Sequence, residues 1–121
     1  MRQWTVIFLV FLASCAPSSW EDLRAEGEAE TRKLAHLLKT INTKDELQKE
    51  LPKVKKRLNR MADLVLEVRK MKEISPMPDF SEPSEASDEL FAQLARLYEM
   101  PGCRDLIESA QDEPIRRCRA R

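Results

Sequence analysis

The sequence predicts an all-α protein: a small helical bundle built on an antiparallel helical hairpin and completed by two short C-terminal helices. Three observations predict it. Leu47, Leu51, Val54, Leu58, Met61, Val65 and Val68 recur at alternating steps of four and three, the stripe by which one helix buries a face against another. Residues 21–41 are rich in the strong helix formers Glu, Ala, Leu, Lys and Arg, with Leu23, Leu34, Leu37, Leu38 and Ile41 at helical spacing. No stretch alternates apolar and polar residues with β-branched enrichment, so no strand is expected.

The first helix is weak at its front. Gly27 and Glu30 occupy stripe positions that favour apolar residues, so its N-terminal half is expected to be solvated, frayed or dependent on a partner. Trp20, just before it, suits either a membrane interface or a hydrophobic staple at the helix start. Thr43 and Glu46 have the spacing of a capping box and open the second helix, at 45–73. Pro52 lies inside that helix and predicts a kink or restart after its first turn. A linker of about four residues favours antiparallel packing, giving a hairpin over 20–74.

Residues 75–84, Ser-Pro-Met-Pro-Asp-Phe-Ser-Glu-Pro-Ser, cannot continue a helix, because three prolines remove donors and push their neighbours to extended conformations. This loop is expected to move or to cross the hairpin with Phe80 as its anchor. Ser84 or Ser87 then caps a third helix whose buried face comprises Leu90, Phe91, Leu94, Leu97 and Tyr98. Pro101-Gly102 reads as a turn, a fourth short helix groups Leu106, Ile107 and Ala110, and Pro114 is placed to open one last turn. The helical domain thus spans 20–121, with its C-terminal helices over 85–121.

The front of the chain has a different character. Arg2 precedes an uncharged run from Thr5 to Ala13, the n-region and h-region of a secretory signal peptide. That run is about half of the roughly 20 residues needed to span a bilayer. Leu12-Ala13-Ser14-Cys15 resembles the lipobox of bacterial lipoproteins. The resemblance implies diacylglycerol on the Cys15 sulfur, cleavage after Ser14, and a lipidated tether over 15–19. Two or three acyl chains hold a protein durably on a membrane, where one chain is marginal. Ala16, a non-acidic residue after the cysteine, implies the periplasmic face of the outer membrane under the enteric sorting rule.

The 121 residues balance 21 basic against 21 acidic side chains, so no global field favours nucleic acid, and export disfavours it further. In an oxidising envelope Cys103 and Cys118 are expected to form one disulfide, with free thiols or an intermolecular bridge as the alternatives. A single histidine, His36, and the lack of a CxxC pair leave structural zinc without its ligands, and no cofactor or metal is expected. Two glycines in the whole chain provide no phosphate loop, and no GxSxG or HExxH motif occurs. Asp63 and Glu67 share a helix face at i and i+4, a routine arrangement in charged helices. The chain reads as no enzyme.

Two charge features remain. Lys53, Lys55, Lys56, Arg57 and Arg60 form a basic run with no acidic residue, and Arg116, Arg117, Arg119 and Arg121 make the tail basic. They read as a solvated face and a frayed end, or as attraction to anionic lipid headgroups or an acidic partner segment. The expectation is a membrane-anchored, non-enzymatic protein-binding or scaffold lipoprotein, with Lys53, Lys56, Arg57, Arg60, Phe91 and Tyr98 as partner contacts. It is similar to the small helical pilotins of secretion systems in size, lipidation and the expected disulfide, although no diagnostic motif of theirs is present. Such a protein grips an amphipathic helix in an apolar groove, here placed between the second and third helices. A homo-oligomeric coiled coil of the murein-lipoprotein kind is the other alternative, although the chain lacks a terminal lysine for attachment to the wall.

Overall fold

The computed structural model describes residues 19–79 and 84–120. Signal peptide, lipobox, Cys15, Phe80 and Arg121 lie outside the described residues. Among those described, four helices and no strand occur: α1 (Trp20–Lys39), α2 (Lys44–Ile74), α3 (Glu85–Tyr98) and α4 (Cys103–Arg119). The fold is all-α, as the periodicity predicts.

Local chemistry sets the helix ends. Ser19 caps α1, its hydroxyl accepting from the Asp22 amide at 3.1 Å. Thr43 caps α2 by accepting from the Glu46 amide at 3.1 Å, and its hydroxyl also donates to the Glu46 carboxylate at 3.4 Å. Ser84, the earlier of the two expected caps, accepts from the Ser87 amide at 3.1 Å. These bonds satisfy amides that lack intrahelical partners, each contributing about 1 kcal/mol. Gly102 precedes α4 at φ 80, a left-handed conformation that a side chain disfavours.

α2 continues through Pro52 without a restart, and α4 continues through Pro114, so the short fourth helix and the last turn, expected as separate pieces, are one element. An internal proline costs roughly 3 kcal/mol of intrinsic helix preference. Burial around each proline offsets it: Leu47 and Val54 flank Pro52, while Ala110 and Pro114 itself are buried on α4.

The helices pack in a ring: α1 on α2 and α3, α2 also on α4, with α3 and α4 sharing the least contact. Neither diagonal pair, α1 with α4 or α2 with α3, packs together. The main core lies at the end of the bundle that carries both tight turns. Leu34, Ala35, Leu38 and Ile41 meet Leu47 and Val54 there, and Leu90, Leu97, Cys103, Ile107 and Ala110 close over them. Arg96 of α3 reaches the Leu38 carbonyl at 2.8 Å, and Arg117 of α4 reaches the Asn59 carbonyl and side-chain oxygen, each at 3.2 Å. Arg117 also pairs with Asp63, whose hydrogen bond raises the guanidinium pKa above its ordinary value.

The expected Cys103–Cys118 disulfide is absent, and both thiols are free. The reason is geometric. Fifteen residues of one continuous helix separate the two sulfurs by roughly 22 Å along the axis, whereas bridged Cα atoms lie within about 7 Å. Phe91 departs from its expected place as well: 68 % exposed, it does not join the buried face of α3, which consists of Ala86, Leu90 and Leu97.

Candidate functional site

The α1–α2 register decides which charges meet. Glu30, expected to weaken α1, is buried at 6 % exposure, with its carboxylate between Arg57 at 3.2 Å and Lys33 at 3.5 Å. One turn away, Arg60 pairs with Glu26 at 2.7 Å. At the base of the hairpin the Trp20 indole donates to the Ser75 hydroxyl at 3.4 Å. A polar ladder therefore joins the two helices where the sequence pattern lacks apolar residues, and α1 is helical from Trp20 onward.

Two concave surfaces result. The first is a groove of about 630 Å³ on the outer side of the hairpin, lined by Arg32, Lys33, His36 and Leu37 of α1 and Lys53, Lys56 and Arg57 of α2. No carboxylate lines it. Lys33 and Arg57 are held in its wall by buried Glu30, and Lys53 pairs with Glu50 at 3.2 Å. Arg32 and Lys56 have no ionic partner among the described residues.

The second groove, of about 270 Å³, lies at the opposite end of the bundle from the main core. Leu23, Gly27 and Thr31 of α1, Met61, Leu64, Val65 and Val68 of α2, and Ser84 and Ser87 at the start of α3 line it, with the Arg24–Glu28 ion pair of α1 at its edge. It continues the line of the core, but Gly27, Thr31, Ser84 and Ser87 are too small to fill it. A Cβ added at Gly27 would meet nothing within 4 Å. Val65 is 43 % exposed within it.

Three of the six expected partner residues, Lys53, Lys56 and Arg57, come together in the basic groove, and none lines the apolar one. Arg60 is engaged by Glu26. The apolar groove lies between α1, α2 and the start of α3, so Phe91 and Tyr98 do not line it, contrary to expectation. Tyr98 lies beneath the Arg104 guanidinium, 5.4 Å from ring centroid to carbon, a cation–π contact at the α3–α4 turn. Hydrogen bonding to Glu108 raises the Arg104 pKa. At 100° per residue, Phe91 falls on the same strip of α3 as Ser84 and Ser87, two turns beyond the groove's rim at Ser84. Asp63 and Glu67, the i,i+4 carboxylates, are engaged by Arg117 and by Lys70 respectively.

Arg32, Lys33 and His36 escape the sequence reading. The signal was available in the charge order of α1: residues 20–30 hold five acidic side chains against Arg24, whereas residues 31–39 hold Arg32, Lys33, His36 and Lys39 and no acid. Antiparallel packing sets that basic half beside the basic run of α2. No family model, curated protein or solved structure matches the chain. Among the described residues no helix is long and apolar enough to cross a membrane.

Proposed function

We propose that the chain is a lipid-anchored lipoprotein of the bacterial envelope, held at the periplasmic face of the outer membrane through Cys15, and that it acts as a non-enzymatic protein-binding module. The observation that carries the binding half is the unfilled apolar groove between α1, α2 and the start of α3. From Leu23 to Thr31 it follows α1 for about 12 Å, enough for anchors on successive turns of one amphipathic helix. It lies at the end of α1 nearest Cys15, so a bound helix would be held close to the bilayer. Anchoring rests on Leu12-Ala13-Ser14-Cys15.

A pilotin-like role, chaperoning a secretion-system component, is the specific form of this reading that the groove favours. A coiled-coil spacer is less favoured, because Leu47 and Val54 of the heptad stripe are buried within the chain itself. Cys15→Ser in the full chain should give an unprocessed precursor free of lipid by mass spectrometry. A photo-crosslinking residue in place of Val65 should join the protein in its native envelope to one discrete partner, and the adduct should vanish with Gly27→Leu, which fills the groove. Normal processing of Cys15→Ser overturns the anchoring. Adducts only to a second copy, or adducts indifferent to Gly27→Leu, overturn the binding mode.

A further inference from the structure

We infer that the basic groove on the outer side of the hairpin is a second docking site, and that its occupant is an acidic segment of the partner protein; this rests on the protein-binding reading above. Two helices contribute to it: Arg32, Lys33 and His36 from α1, and Lys53, Lys56 and Arg57 from α2. One of these cations is positioned in advance. Buried Glu30 holds Arg57 at 3.2 Å, so less side-chain freedom is lost there when an anion arrives than at a freely rotating lysine patch. Leu37 gives the wall one apolar point, which suits a peptide carrying an aliphatic residue among its carboxylates.

The charge order along α1 argues for a protein over the bilayer. The groove residues of α1 begin twelve positions after Trp20, roughly 18 Å along the axis, about two screening lengths at physiological salt. An upright hairpin therefore holds the groove beyond the field of lipid headgroups. A hairpin lying flat would bring Glu21 and Asp22, both exposed at the front of α1, toward an anionic surface along with the groove, and their repulsion opposes that pose. An acidic polypeptide reaching the groove from the periplasmic side meets neither obstacle.

The test uses the full chain in neutral detergent and a fluorescein-labelled hexaglutamate peptide, read by fluorescence anisotropy. Saturable binding is expected, weakening severalfold between 50 and 200 mM salt as ion pairing is screened. Lys56→Glu should weaken it at least fivefold. Lys55→Glu, the same charge change one residue away at an exposed position outside the groove, should weaken it less than twofold. Equal losses in the two variants would mean general attraction and no site, and overturn the inference, as would the lack of saturation. Groove-dependent binding to phosphatidylglycerol vesicles with indifference to the peptide would also overturn it, by identifying lipid as the occupant. Crosslinking at Val65 reports separately: if a partner is captured there while hexaglutamate fails to bind, the groove inference falls and the protein-binding reading stands.

Discussion

The two glycines make opposite demands on the chain, and replacing each by alanine tests how the helices are built. Gly27 lies within α1, not at positive φ, and a Cβ there meets nothing within 4 Å. Alanine should therefore recover the helix preference that glycine forfeits, about 1 kcal/mol, with no steric cost. Gly102 has φ 80, where a Cβ costs roughly 1–2 kcal/mol of backbone strain. Its added Cβ would also lie 2.9 Å from Lys44 Cε, but Lys44 is exposed and can swing aside, so backbone strain dominates. For a chain of this size each kcal/mol shifts the midpoint by roughly 4–8 °C. Thermal melts followed by circular dichroism at 222 nm should show Gly27→Ala above the parent and Gly102→Ala below it by a comparable amount. A lower midpoint for Gly27→Ala would mean that the groove is closed in solution, and the reasoning that leaves it open for a partner would fail.

Three further outcomes follow from the packing. Leu97 is fully buried in the main core, so Leu97→Ala should lower stability by about 2–5 kcal/mol in urea denaturation, while Phe91→Ala, at a largely exposed position, should change it by less than about 0.5 kcal/mol. Glu30→Gln leaves Arg57 and Lys33 without their carboxylate; since Arg57 can turn partly to water, the loss should be about 1–2 kcal/mol, and Glu30→Leu should regain much of it by restoring the apolar stripe. Equal stability of parent and Glu30→Gln would remove the pair from the account of the hairpin. Denatured, unreduced protein should take alkylating reagent at both Cys103 and Cys118; in the native state Cys118 should react first, because Cys103 is buried.

What was legible in the sequence is what one helix dictates by itself. The stripe from Leu47 to Met61, the Thr43 cap, the Ser84 cap and the Pro101-Gly102 turn depend on neighbours a few residues away, and each appears where the pattern places it; past Met61 the buried face shifts to Ala62 and Leu64, and Val65 of the stripe is exposed. What was not legible depends on a second helix. Glu30 looks like a defect in α1 until Arg57 lies across from it. The three α1 cations of the basic groove gain meaning only beside Lys53 and Lys56. The error over the cysteines follows from the error over Pro114: treated as a break, it permits a clamp between two short pieces, but within a continuous α4 it sets the sulfurs far apart. Proline rules weigh the lost amide and omit the packing that compensates for it.

The same register that builds the ladder also gives the bundle unequal ends. Near the turns, large side chains from all four helices converge, and Leu38, Leu47, Leu97 and Ile107 are fully buried among them. Toward the start of α1 the lining changes to Gly27, Thr31, Ser84 and Ser87, and Glu30 and Glu26 replace aliphatic contacts with ion pairs. Ion pairs hold two helices in register without filling volume, whereas leucines at those positions would collapse α1, α2 and α3 onto one another and close the groove. Replacing apolar burial by charge is thus the means by which this chain keeps a hairpin assembled and an apolar surface open at once. On this reasoning the stability forgone at the open end and the capacity to bind a partner helix are one property of the sequence, and a mutation that improves the first should weaken the second.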